Sequence, residues 1–377
     1  MRKAFICPGK YVQGENELLN LGFFVKTYGK KALLIAHKLD VARVKEQLDA
    51  TAKAFGIEFV AVDFQGECSQ KAIKELQAMA KKAGCKVIIG LGGGKAIDTS
   101  KCVAQGGPLI IVPTIAATDA PTSHSAVIYT EDGAFESYAF FSSNPSVVLV
   151  DTAVIAKAPV RFLVAGMGDA LATYYEARSV QAAYAGVNAG LPCGGGDKKY
   201  GIKPAVGTKT AMALATLCYQ TLLEDGYKAK LACEANVVTG ALENIIEANS
   251  LLSGLGFESG GLAAAHAIHN GLTALDEAHS YYHGEKVAFG TLCHLVLENA
   301  DQDEIDEVLA FCETVGLPIC LEDLGVKDIG DRLMIVAEKA CAAGETIYNM
   351  PFPVTPADVA AAIMGADKLG REFKGLD

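Results

Sequence analysis

The chain has 377 residues, 51% hydrophobic and 20% charged, which suits a folded protein with more than one core rather than a disordered one. Its net charge of −11 argues against nucleic acid or an anionic membrane surface as the main partner. No apolar run approaches the roughly 18 residues of a membrane span.

In chain order, residues 31–36 (KALLIA), 58–63 (EFVAVD), 87–91 (VIIGL) and 109–112 (LIIV) read as near-continuous apolar strands. Between them, 41–55 and 70–83 carry apolar residues at helical spacing, opposite lysines and glutamates. Strand–helix–strand alternation predicts a parallel sheet with helices on both faces. Residues 125–129 and 136–141 then bracket Glu131-Asp132-Gly133, a hairpin signal, and 147–150 reads as a last strand. After Pro159, alanine-rich helical segments dominate at 170–185, 208–223, 230–253, 261–275, 287–297 and 329–343. The expected architecture is an α/β Rossmann-like domain over 1–158 and an all-α domain over 159–377. The glycine-rich stretch 190–207 reads as a loop with no assignable role. Eleven cysteines, from Cys7 to Cys341 with no CxxC pair, indicate free thiols in a reducing compartment. The opening MRKAFICPGKYVQG lacks the apolar core of a secretory leader, so the cytoplasm is the expected location.

Three places carry chemistry. In VIIGLGGGKAIDTSK a buried strand ends, Gly92, Gly93 and Gly94 follow, and a helix begins. Glycines let backbone amides approach a ligand closely, and a helix N-terminus attracts an anion such as a pyrophosphate. A tight turn that merely packs helix on strand is the other reading. In VPTIAATDAPTSHSAVIY, after a strand's carboxyl end, Thr114, Thr118, Ser123 and Ser125 can bond a nucleotide, and Asp119 can accept from hydroxyls. Four of the seven histidines, His266, His269, His279 and His283, fall within 24 residues. His266 and His269 share a helix face, and His283 follows in a polar loop. Imidazoles converging this way suit Zn²⁺ or Fe²⁺, with Asp169 of AGMGDALATYYE as the candidate third ligand. An Asp at a helix start after glycines is also a common N-cap.

The motifs GGGKAIDTSK, VPTIAATDAPTS, GMGDALATYYEARS, GGLAAAHAIHNGL and HGEKVAFGT stand in this order across nearly the whole chain. Together they resemble the glycerol dehydrogenases of the iron-containing alcohol dehydrogenase superfamily, whose fold is shared with dehydroquinate synthase. The resemblance implies a homo-oligomer, commonly an octamer, with the active site in a cleft between its domains. It implies metal-dependent oxidation of glycerol, or a related vicinal diol, to dihydroxyacetone with NAD. Asp169, His266 and His283 would then hold Zn²⁺, with Fe²⁺ admissible. Asp119 would contact glycerol, and His269 would be the non-ligand histidine near the substrate, able to pass on a proton. The dinucleotide would lie on Gly92, Gly93, Gly94, Lys95, Ala96 and Asp98, on Thr114, Ile115, Ala116 and Ala117, and on Ser123, Ser125 and Tyr129. One position departs from the family. Where an aspartate usually meets the adenine ribose, this chain has His37, followed by Lys38, which leaves NADP admissible beside NAD. A dehydroquinate-synthase-like cyclase or a polyol-phosphate dehydrogenase would need cationic residues that TDAPTS and HAIHNG lack. A catalytically inactive nucleotide- and metal-binding protein would have no use for Asp119 beside the other three.

Overall fold

Apolar runs without alternation can be buried on both faces, and they build one six-stranded parallel sheet in the computed structural model of the chain, which describes residues 1–190 and 201–376. Its strands are β1 (Tyr11–Gly14), β2 (Lys31–Ala36), β3 (Glu58–Asp63), β4 (Val87–Gly92), β5 (Leu109–Pro113) and, after an antiparallel hairpin of β6 (Ser125–Tyr129) and β7 (Phe135–Phe140), β8 (Val147–Asp151). The order β1-β8-β5-β4-β2-β3 leaves β3 and β1 as edges and buries β4, β5 and β8 throughout. The short β1 is a strand that the apolar pattern does not announce; it is recruited by parallel pairing with β8, Tyr11 opposite Val148.

The sheet has a switch point between β2 and β4. The chain leaves β2 toward β3 on one side and leaves β4 toward β5 on the other. Crevices at the carboxyl ends of such a pair are where open α/β sheets bind ligands. Ala36 pairs with Leu91 there, so His37 follows β2 beside Gly92, the last residue of β4.

This unit comprises Cys7–Phe162 and Leu231–Gly254, while Met1–Ile6, Leu163–Lys230 and Leu255–Asp377 form a helical unit. The division is therefore not one cut near residue 158. The stretch 230–253 is not one helix either: Lys209–Glu234 ends, Asn236 turns left-handed, and Gly240–Glu247 restarts behind the Thr239 N-cap. Gln13 on β1 holds the returning segment through Glu243 O at 3.0 Å.

In the helical unit, Val160–Ala183 is buried on almost every side, as a helix without a polar face must be. Ala264–Leu272 and His283–Leu297 follow, with Gln302–Val315, Arg332–Ala340 and Pro356–Phe373 beyond them. Of the loop 190–207, residues 191–200 lie outside the described residues. Among the described residues no helix is long and apolar enough to cross a membrane.

Candidate active site

At the switch point the three glycines do separate things. Gly92 has φ 145°, a conformation side chains rarely adopt, and a Cβ on it would stand 3.3 Å from Ala96 Cβ and 3.5 Å from Asp40 Oδ2. Gly93 lies against Ile115, while around Gly94 nothing comes within 4 Å of an added Cβ. Helix Gly94–Ala104 starts here with no side chain capping its first N–H groups, which leaves them to an anion. Thr114 N–H reaches Gly92 O at 3.1 Å, which sets Thr114, Ile115, Ala116 and Ala117 beside the turn. His37 is the N-cap of Lys38–Arg43, its Nδ1 accepting from Leu39 N–H at 3.2 Å. The carboxylates nearby are Asp40 and Asp63, the latter accepting from Lys38 N–H at 2.9 Å.

Other members of the expected dinucleotide set are engaged with the protein itself. Lys95 pairs with Glu67. Asp98 Oδ2 accepts from Val127 N–H at 3.0 Å, and its other oxygen faces Lys101 Nζ at 3.4 Å. Lys101 is 1% exposed and donates to Ala120 O at 2.7 Å, Ser123 Oγ at 2.9 Å and Ser125 O at 2.7 Å. Asp98 and Lys101 thus tie the glycine-turn helix to the loop that carries Asp119 and to the hairpin strand that ends at Tyr129. Burial, with Asp98 close by, pushes the Tyr129 phenol up to about 12.

The Asp119 loop is held by a segment that sequence reasoning passed over. Ala248–Leu252 is a π-helical turn, a form that recurs at functional sites. From it and the next residues, Asn249 Nδ2 donates to Ala116 O at 2.9 Å, Ser250 O accepts from Thr122 Oγ1 at 3.1 Å, and Ser253 Oγ donates to Asp119 Oδ2 at 2.8 Å. Only glycine fits at 254, where a Cβ would stand 1.9 Å from Thr122 Oγ1. The run of small residues in NSLLSGLGFESGG was the available signal.

The second cluster lies wholly in the helical unit. Asp169 is not at a helix start: it sits mid-way along Val160–Ala183 and is 1% exposed, so it caps nothing. His283 is not in a loop but is the first residue of its helix, where Glu285 accepts from Tyr282 N–H at 2.7 Å. Two glycines bring these helices together, since a Cβ on Gly168 would lie 2.3 Å from Gly284 O and one on Gly284 would lie 1.8 Å from Ala165 O. The result places His283 Nε2 at 3.1 Å and His266 Nε2 at 3.4 Å from Asp169 Oδ1.

Those spacings fit a metal. A four-coordinate ion with bonds of about 2.0–2.1 Å sets its donors roughly 3.3 Å apart. Among the described residues this is the group of His, Cys, Asp or Glu that gathers closely enough, its donor atoms all within 4.8 Å of one another. Three protein ligands, with the His283 side chain 37% exposed, leave one side open. Burial alone would raise the Asp169 carboxyl, yet His283 and His266 hold it below the usual carboxylate range.

Both imidazoles are backed by hydrogen bonds. Behind His266, Glu176 Oε2 meets Nδ1 at 2.6 Å, while Oε1 accepts from Ala263 N–H at 2.8 Å and His266 N–H at 3.0 Å. Burial would lower the His266 pKa, but Glu176 and Asp169 hold it well above the ordinary value. Behind His283, Nδ1 meets His269 Nε2 at 3.1 Å, His269 Nδ1 meets Asn270 Oδ1 at 3.0 Å, and Asn270 Nδ2 donates to Glu345 Oε2 at 2.9 Å. The Glu345 carboxylate fixes the amide orientation, so His269 donates from Nδ1 and accepts at Nε2 from His283. Burial first, then His283 and His266, keep His269 well below its usual pKa, as this neutral role requires. His279 stands apart, its ring on Thr273 O at 3.1 Å.

Comparisons with known proteins identify the family. The family model for iron-containing alcohol dehydrogenase matches residues 8–152. The chain is 50% identical over 376 residues to the glycerol dehydrogenase of Escherichia coli, covering 99% of each. It is 43% identical over 377 residues to the glycolaldehyde reductase of Halobacterium salinarum, covering 99% of this chain and 100% of that one. The crystal structure of glycerol dehydrogenase from Schizosaccharomyces pombe matches with a TM-score of 0.91 at 37% identity, over 100% of this chain and 93% of that one. The chain belongs to the iron-containing alcohol dehydrogenase family, in which it stands with the glycerol dehydrogenases.

Proposed function

We propose that the chain oxidises glycerol, or a closely related vicinal diol, to the hydroxyketone, passing hydride to NAD. The observation that carries this reading is the Asp169–His266–His283 triad, spaced for a small divalent ion and open on one side. When bound there, Zn²⁺ or Fe²⁺ would supply Lewis acidity that lowers the pKa of a substrate hydroxyl. The switch-point turn at Gly92–Gly94 suits the pyrophosphate of the dinucleotide, the hydride acceptor.

The rest of the work falls to the chain's own groups. The Asp119 carboxylate accepts from polyol hydroxyls, and Ser253 fixes its orientation through the 2.8 Å bond to Oδ2. His269 orients His283 rather than meeting the reacting carbon, because both of its ring nitrogens are engaged. The hydroxyl proton therefore leaves to water. A phosphorylated polyol is disfavoured: Lys286, the cation beside the histidines, donates to Tyr281 O at 2.6 Å and Ala278 O at 3.3 Å. The same reading makes the protein a cytoplasmic homo-oligomer, an octamer by resemblance, which sedimentation analysis checks.

The test is a substrate screen of the metal-loaded protein with NAD and NADP against glycerol, 1,2-propanediol, 2,3-butanediol, phosphorylated polyols and, for reduction, glycolaldehyde. Glycerol or another free vicinal diol should give the highest kcat/KM. A strong preference for a phosphorylated polyol, or no turnover after metal loading, would overturn the reading.

A further inference from the structure

Glu176 is a buried anion to which the reaction gives no task. It is 0% exposed, seven residues beyond Asp169 on the same helix, and its oxygens are taken by the Ala263 and His266 amides and by the His266 ring, so it is no metal ligand. Burying a second carboxylate so near Asp169 is costly unless strong donors compensate it. Helix Ala264–Leu272 has no side-chain cap of its own, and Glu176 supplies one from another helix through its two backbone bonds.

We propose that Glu176 is a positioning residue that holds His266 in the tautomer with Nδ1 protonated and the Nε2 lone pair turned toward Asp169. Two backbone N–H donors on Oε1 stabilise the ionised carboxylate, so Oε2 accepts and the proton in the 2.6 Å bond belongs to His266 Nδ1. When the second ring proton leaves on metal binding, Nε2 is the nitrogen left with the lone pair, 3.4 Å from Asp169 Oδ1. A carboxylate behind a ligating imidazole also makes it a stronger donor. The inference rests on the metal reading of the triad.

Glu176→Gln separates this role from a merely structural one. Glutamine is nearly isosteric, but its amide NH₂ either donates to Nδ1, which forces the proton onto Nε2 and blocks ligation, or turns against the two backbone donors. Zn²⁺ affinity, measured by chelator competition on the wild type and Glu176→Gln, should fall 10- to 100-fold in the variant. NADH affinity should be unchanged. ¹⁵N histidine spectra of the Zn²⁺-loaded wild type should show His266 protonated at Nδ1 and bound through Nε2. Equal Zn²⁺ affinity in the two proteins overturns the role of Glu176 and leaves the metal site standing. No Zn²⁺ uptake by the wild type overturns both. If Glu176→Gln does not fold, the wild-type spectrum decides alone, and a proton on Nε2 refutes the proposal.

Discussion

Gly284→Ala tests whether a glycine contact builds the metal site. The added Cβ would stand 1.8 Å from Ala165 O and 2.8 Å from Asp169 N, where ordinary contact begins near 3.4 Å. The clash is with backbone, so no side chain can swing away. Helices Val160–Ala183 and His283–Leu297 must separate locally by more than an ångström, whereas metal–ligand distances tolerate about 0.2 Å. His283 Nε2, now 3.1 Å from Asp169 Oδ1, would leave the donor set. Zn²⁺ affinity should drop at least 100-fold, about 2.8 kcal/mol at 1.4 per decade. Overpacking should also lower the stability of the metal-free protein by about 1–3 kcal/mol. Chelator competition and denaturant melts, with and without Zn²⁺, measure the two effects separately. Gly240→Ala is the control, since nothing lies within 4 Å of its added Cβ and it opens a helix. Wild-type Zn²⁺ affinity in Gly284→Ala would refute the argument that this contact sets the ligand spacing.

Three further outcomes are expected. Asp119→Ala should raise KM for glycerol while Zn²⁺ stays bound, and Ser253→Ala should do the same more mildly; metal loss in Asp119→Ala would sink the assignment. His37→Asp should shift the NAD/NADP ratio of kcat/KM toward NAD by about 1–3 kcal/mol, the scale of a hydrogen bond to a charged group. A wild-type ratio already above roughly a thousandfold, about 4 kcal/mol, would mean that another residue, Asp40 being nearest the glycine turn, enforces the choice. Because Glu176 and Asp169 raise the pKa of His266 in the metal-free protein, the metal must displace its proton at neutral pH. Apparent Zn²⁺ affinity should therefore climb with pH above 6.5, by up to about tenfold per unit for one proton released, and level off once pH passes the raised pKa. A flat profile from pH 6.5 to 9 would contradict that.

Residue type and local spacing determined much of this protein. Continuous apolar strands between amphipathic helices specify a buried parallel sheet, because each strand must hide both faces. Three glycines between a strand and a helix marked a candidate phosphate turn, and four histidines in 24 residues, two of which gather with Asp169, marked a candidate metal site, since both signals are local in the chain. Asp169 also read as an N-cap, the more common use of Asp at a helix start, and only the continuous helix from Val160 to Ala183 removes that alternative. Asp98, expected on the dinucleotide, is held by Val127 N–H and Lys101. The bond from Ser253 to Asp119 spans 134 residues and that from Glu176 to His266 spans 90. No periodicity encodes such pairs, because they arise where packed helices and loops meet. The sequence thus determined which groups could do the chemistry. The tertiary structure decided which of them point at one another, through close glycine contacts that are long-range by nature.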